Sequence, residues 1–90
     1  MRADKKKVGR LLRIARGQID GILKMIDEDE YCMDISNQLM ATESILRKAN
    51  REVVRAHMAG CLMEALEEGN ADEKLDELMA IIEKMERYIQ

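Results

Sequence analysis

Residues 35–63 read ISNQLMATESILRKANREVVRAHMAGCLM, and apolar or small side chains recur along them at alternating intervals of four and three residues. This seam consists of Ile35, Leu39, Thr42, Leu46, Ala49, Val53, Ala56, Gly60 and Met63. Because such spacing is typical of one face of an α-helix and the chain contains no proline, we predict a helix over about residues 33–68. At about 1.5 Å per residue that helix is roughly 50 Å long. A shorter neighbouring helix cannot cover all of it, so the uncovered part requires a partner molecule.

Two shorter helices are predicted on either side of the long one. The first runs from about Asp4 to Asp27, and its apolar seam has the same intervals, at Val8, Leu12, Ala15, Ile19, Ile22 and Ile26. Gly69 is a typical stop for the long helix, and Asn70 followed by Glu73 resembles a capping box for the next one. That third helix runs over about residues 71–88, and its apolar positions are Leu75, Leu78, Ile82, Met85 and Ile89.

The composition favours an all-α chain, because its 90 residues include no Pro, Phe or Trp and its apolar content is mostly Leu, Ile, Met, Ala and Val. We expect one helical domain over residues 1–90. The longest apolar run, residues 78–82, is far shorter than the roughly 20 residues that span a bilayer. The N-terminus also lacks the apolar core of a signal peptide. We therefore expect no membrane contact and a cytoplasmic location, where two cysteines are more often thiols or metal ligands than a disulfide.

The net charge of −3 hides an uneven distribution along the chain. Residues 1–24 hold eight Lys or Arg against two acids, and residues 47–55 hold four against one. Residues 25–46 hold six acids and no base, and residues 64–90 hold nine acids against three bases. Such asymmetry is typical of a protein with a polyanion-binding face, although charge alone fits a solvated helix surface equally well.

His57 and Cys61 are four residues apart on the long helix, so both side chains project from one face within reach of one ion. Cys32 lies roughly 37 Å from His57 along that helix and cannot join them within one chain. In a dimer of antiparallel long helices, however, Cys32 of one chain meets His57 and Cys61 of the other. Two thiolates and one imidazole favour Cu(I). Zinc usually takes a fourth ligand, nickel requires more nitrogen or oxygen donors, and ordinary structural roles for these residues stay open at this point.

Four local sequences resemble one known family. RIARGQIDG at 13–21 is similar to the signature of the family's first helix, and YCMDI at 31–35 follows its pattern around the first cysteine. LRK at 46–48 and the His-x-x-x-Cys pattern at 57–61 complete the match in the same order and at the same separations. On these residues the chain resembles the copper-sensing branch of the CsoR/RcnR family of metal-sensing transcriptional repressors.

That resemblance implies a three-helix protomer, an antiparallel four-helix-bundle dimer and a dimer of dimers. It further implies Cu(I) in a trigonal site, held by Cys32 of one protomer and by His57 and Cys61 of the other. In the family, a Tyr and a Glu hydrogen-bond the free nitrogen of the ligand histidine, and these match Tyr31 and Glu77.

The resemblance also implies DNA binding without a helix-turn-helix, through polar residues of the first two helices. The matching candidates are Arg10, Arg13, Arg16, Gln18, Arg47, Lys48 and Arg51. The expected function is a copper(I)-responsive repressor. The metal-free tetramer binds double-stranded operator DNA, and Cu(I) releases it so that copper-resistance genes are expressed.

Two kinds of alternative remain at this level. One is a repressor of the same family that senses persulfide or another metal, and the other is a copper or sulfur carrier that does not bind DNA. Catalysis is not indicated, because the single His has no triad partner nearby and no Gly-rich phosphate loop occurs. We expect neither an enzyme nor a small-molecule substrate.

Overall fold

The computed structural model describes the backbone of residues 1–89 and the side chains of residues 1–87. Its helices are α1 (Lys5–Asp27), α2 (Cys32–Glu68) and α3 (Ala71–Ile89), and no strand occurs within the described backbone. Each boundary lies within one residue of the predicted one, and the all-α fold class is confirmed. The predicted seam position Ile89 lies outside the described side chains. No helix of the described part is long and apolar enough to cross a membrane.

Local chemistry explains where α1 begins and where α2 ends. The carboxylate of Asp4 accepts hydrogen bonds from the amides of Lys6 and Lys7 at 2.9 and 3.3 Å, so Asp4 caps α1 instead of forming its first residue. Gly69 ends α2 with a φ of 74°, a left-handed conformation that favours glycine, and its amide donates to the carbonyl of Ala65. The predicted stop at Gly69 is correct.

The capping box predicted at the start of α3 is wrong. The side-chain oxygen Oδ1 of Asn70 is buried and has no hydrogen-bond partner within the described residues, so it does not cap the helix. The backbone makes the first helical bond instead, because the amide of Lys74 donates to the carbonyl of Asn70 at 3.3 Å. Asn70 therefore contributes its carbonyl to α3 while its side chain turns inward.

Helices α1 and α2 form an antiparallel hairpin, and α3 folds back along the second half of α2. The buried positions of the hairpin are Val8, Leu11, Ala15 and Ile22 on α1 and Thr42, Ala49, Cys61 and Ala65 on α2. The predicted α1 seam is wrong at Leu12, Ile19 and Ile26, which are exposed. Two adjacent apolar stripes run along α1, and α2 of the same chain covers only one of them.

The chain is a single layer of helices. Its extents are 58 × 28 × 12 Å, and the shortest matches the diameter of about one helix. The radius of gyration of 17.6 Å exceeds the roughly 12 Å expected of a compact domain of this length. The accessible surface of 7111 Å² likewise exceeds the roughly 5,400 Å² expected of a folded monomer of this mass. Since stable domains pack helices in at least two layers, this shape calls for a partner on its open faces.

Candidate metal centre

One turn of α2 places a thiol beside an imidazole. Sγ of Cys61 lies 3.4 Å from Nε2 of His57, within hydrogen-bonding range for sulfur. Cys61 is buried, whereas the side chain of His57 is 45% exposed. The pair therefore sits at the edge of the packed hairpin, where the sulfur is shielded and the ring remains accessible.

Helix α3 adds a carboxylate to this pair. Oε1 of Glu77 lies 4.0 Å from Nε2 of His57, and the possible ligand atoms of Cys61, His57 and Glu77 all lie within 4.8 Å of one another. Because α3 runs back along α2, its first two turns face the turn of α2 that carries His57. The structure thus brings Glu77 near His57, on the side of Nε2, the nitrogen that also faces Cys61, and Glu77 is half-exposed.

The sulfur and the carboxylate both approach the same ring nitrogen. Nε2 carries either a proton or a lone pair, so it either donates to a neighbour or is available to a metal. With the proton on Nδ1, Nε2 and the deprotonated Sγ of Cys61 form a soft two-atom set that suits Cu(I) or zinc. With the proton on Nε2, the ring can donate to Glu77 and present Nδ1 to an ion instead. The pair of Nε2 and Sγ therefore fits a thiophilic metal when the proton is on Nδ1.

Lys74 is a functional candidate that sequence reasoning missed. Its Nζ lies 3.4 Å from Oε2 of Glu77, one turn away on α3. The Glu77 carboxylate, above all, raises the pKa of Lys74 from its ordinary value of 10.5, and Cys61 and Glu64 act in the same direction. Lys74 is therefore an ammonium at neutral pH beside the candidate site. Its spacing of three residues from Glu77 was the signal that could have identified it.

Cys32 and Tyr31 lie at the far end of α2, and the chain does not bring them to His57. Cys32 is the first residue of α2 and is exposed. Tyr31 precedes it at the cap position and its side chain makes no capping hydrogen bond. At about 1.5 Å per residue, Cys32 and His57 are separated by roughly 37 Å of helix. Within a single chain the site holds at most two of the three predicted ligands.

The basic candidates lie on exposed surfaces of α1 and α2. All six arginine and lysine candidates are exposed, namely Arg10, Arg13, Arg16, Arg47, Lys48 and Arg51. Nη2 of Arg47 is 3.5 Å from the carboxylate of Glu43. Arg47 and Arg51 also line, with Lys84 of α3, a groove of about 680 Å³ that reaches His57.

Gln18 differs from the other DNA candidates, because it belongs to the packed hairpin. Its Oε1 accepts a hydrogen bond from the buried Thr42 hydroxyl at 2.8 Å. The structure thus shows that Gln18 joins α1 to α2. The sequence predicted only a DNA contact for this residue.

The family described as "Metal-sensitive transcriptional repressor" matches residues 4–84. The copper-sensing transcriptional repressor CsoR of Mycobacterium ulcerans is 39% identical over 77 residues. That match covers 84% of this chain and 66% of the relative, so the chain spans slightly less than two thirds of the relative's length.

Two solved structures share the fold. The copper-sensing repressor CsoR with Cu(I) from Geobacillus thermodenitrificans superposes with a TM-score of 0.78 at 30% identity, over 90% of this chain and 84% of that one. The nickel-responsive transcriptional regulator InrS superposes with a TM-score of 0.83 at 26% identity, over 93% and 94%. With the family matching nearly the whole chain, the chain belongs to the metal-sensitive transcriptional repressors, which are regulators and not enzymes.

Proposed function

We propose that this chain is a copper(I)-responsive transcriptional repressor. The observation that carries the proposal is the pairing of Cys61 Sγ with His57 Nε2 at 3.4 Å in a member of this repressor family. A buried thiol beside an imidazole, with no further histidine in the sequence, favours cuprous ion over metals that prefer nitrogen and oxygen. The copper-sensing relative and the Cu(I)-bound structure of similar fold support the same choice.

We assign the third ligand to Cys32 of a partner chain. One chain supplies only Cys61 and His57 at the site, and its single layer of helices leaves open faces for a second copy. If two α2 helices pack antiparallel, the exposed Cys32 of one reaches the level of His57 and Cys61 of the other. Tyr31 of that partner arrives with it. Each dimer then carries two identical sites, and the homodimer pairs further into a tetramer.

The operator-binding surface is assigned to the exposed basic residues of α1 and α2. Arg10, Arg13 and Arg16 lie one turn apart along α1, while Arg47 and Arg51 form a stripe on α2. Such stripes suit phosphate contacts, which provide affinity and orientation more than sequence readout. Four copies of each residue would give the assembly a broad cationic face despite its net negative charge.

Metal binding would weaken DNA binding by changing the arrangement of the helices. Cys61 and His57, with Cys32 of a partner chain, would hold the copper ion, whose strong bonds to thiolate and imidazole would draw the three side chains together. Glu77 can follow His57, because its Oε1 already lies 4.0 Å from the ring, and a move of Glu77 carries α3 with it. The metal-free assembly then fits the operator and the loaded one does not. By linkage, each ligand weakens the other to the same degree.

A nickel-responsive repressor is the second candidate. The Glu77 carboxylate supplies an oxygen donor within 4.8 Å of the sulfur and the imidazole, and InrS has the same fold. Nickel is nevertheless the weaker choice, since the chain contains one histidine.

The test is fluorescence anisotropy of the protein on DNA from its own promoter region, under anaerobic conditions, with Cu(I), Ni(II) or Zn(II) added. We expect Cu(I) at one equivalent per chain to release the DNA from the wild type but not from Cys61→Ala or His57→Ala. Asn37→Ala, an exposed change elsewhere on α2, is the matched control and should behave as the wild type. Release by nickel alone would favour the second candidate, and DNA binding that no metal changes would contradict both.

A further inference from the structure

Glu77 is shared between two nitrogen groups. Its Oε1 lies 4.0 Å from Nε2 of His57, while its Oε2 lies 3.4 Å from Nζ of Lys74. Lys74 belongs to the first turns of α3, and its side chain is 30% exposed. The ammonium thus holds one oxygen of the carboxylate while the imidazole faces the other.

The cluster without Lys74 would be a good site for divalent metals. Cys61, His57 and Glu77 present sulfur, nitrogen and oxygen within 4.8 Å, and zinc is commonly bound by these three atom types in a four-ligand site. Among divalent ions, zinc is well suited to thiolate and imidazole ligands. A copper sensor with this donor set therefore needs a feature that lowers its affinity for zinc.

We propose that Lys74 is a specificity-determining residue that disfavours divalent ions at this site. The inference rests on the proposed function, because it concerns selectivity at the same ligands. Lys74 acts in two ways. Its ammonium holds the Glu77 carboxylate that zinc would use as a further ligand, and its positive charge repels an incoming cation.

The repulsion discriminates by charge. The Coulomb energy between the ammonium and a bound ion is proportional to the charge of that ion. Removing Lys74 therefore raises the affinity for both kinds of ion. Because the energy is twice as large for a divalent ion, the fold-increase in its affinity is the square of the fold-increase for a monovalent ion at the same place. A gain of about threefold for Cu(I) corresponds to a gain of roughly tenfold for Zn(II). Loss of Lys74 also frees Glu77 to bind the ion. This raises the affinity for Zn(II) further, whereas Cu(I) binds carboxylates weakly.

The experiment measures Zn(II) and Cu(I) affinities of the full chain by competition with chromophoric chelators, anaerobically for Cu(I). Lys74→Met is compared with Lys74→Arg, which keeps the charge. Lys24→Met is the matched control, because Lys24 is also paired with a nearby carboxylate, that of Glu28 just beyond the end of its helix, at 3.9 Å. We expect Lys74→Met to shift the ratio of zinc to copper affinity toward zinc at least threefold. Lys74→Arg and Lys24→Met should leave the ratio unchanged.

A double-mutant cycle with Glu77→Gln separates the two effects. If Lys74 acts partly by holding Glu77, Lys74→Met should shift the ratio less in the Glu77→Gln background than in the wild type. An unchanged ratio in folded Lys74→Met, with helicity checked by circular dichroism, would overturn the proposal. That outcome leaves the repressor assignment intact, since operator release by Cu(I) is measured separately on the wild type. Conversely, a wild type that binds Cu(I) but keeps its operator contradicts the proposed function and not the selectivity of Lys74.

Discussion

The hydroxyl oxygen of Thr42 lies 2.8 Å from Oε1 of Gln18 and joins α2 to α1 across the middle of the hairpin. Thr42 is the buried polar residue of this packed surface, at 5% exposure. The same hydroxyl is 3.1 Å from the carbonyl of Gln38 on its own helix, so its proton always has an acceptor. The single proton of the Thr42 hydroxyl therefore has one acceptor on α1 and one on α2.

Replacing Thr42 by Val should lower the free energy of unfolding by about 1 kcal/mol, because Oε1 of Gln18 loses its donor in a partly buried place. Urea unfolding at fixed protein concentration measures the change, since stability depends on concentration for an associating chain. Thr42→Ser retains the hydroxyl and should recover part of the loss.

The same pair tests the predicted DNA contact of Gln18. If the amide of Gln18 also contacts DNA, Gln18→Ala should reduce operator affinity more than Thr42→Val does.

The helices were predictable from the sequence, but the side of α1 that packs within the chain was not. Periodicity gives the direction of an apolar stripe to within one neighbouring position, and α1 has apolar residues on two adjacent stripes. The structure buries Leu11 and exposes Leu12 at 47%. Only the position of α2 decides between these stripes, and that position depends on contacts distant in sequence.

An exposed apolar stripe on α2 should mediate self-association. Leu39 is 47% exposed and Leu46 is 43% exposed, although both belong to the predicted seam. In a symmetric dimer both copies of Leu39 contribute, at roughly 1 kcal/mol each, because about half of each side chain remains to be buried. Leu39→Lys should therefore weaken dimer formation at least tenfold in sedimentation equilibrium. Asn37→Lys adds the same charge nearby and should have a much smaller effect, and equal effects would place the interface elsewhere.

The candidate site was predictable only in part, for a physical reason. His57 and Cys61 are linked by helical geometry, so their proximity follows from a spacing of four residues. Lys74 and Glu77 come to His57 through the fold of α3 on α2, which no local pattern specifies. Cys32 lies at the other end of α2, and its assignment to the site depends on a second chain.

Mixing two inactive variants tests whether the site spans two chains. Cys32→Ala and Cys61→Ala should each bind Cu(I) poorly, because neither homodimer contains a complete set of ligands. After subunit exchange in an equal mixture, half of the dimers are mixed and each contains one intact site. Tight Cu(I) binding should then return to about a quarter of the wild-type capacity. If each chain completed its site alone, the mixture would bind no more Cu(I) than the separate variants. Blocked subunit exchange would give the same result, so exchange is verified by mass spectrometry.

Two neighbouring substitutions on α2 should change operator affinity in opposite directions. Lys48 is exposed, and Lys48→Ala should weaken binding and reduce the slope of log affinity against log salt by about one unit for each copy that contacts a phosphate. Glu43→Gln should strengthen binding, because the carboxylate 3.5 Å from Arg47 both neutralises that arginine and repels DNA. Anisotropy titrations between low and moderate salt measure both slopes. If the two variants shift affinity in the same direction, a loss of structure and not charge is responsible, and this face of α2 is not the operator-binding surface.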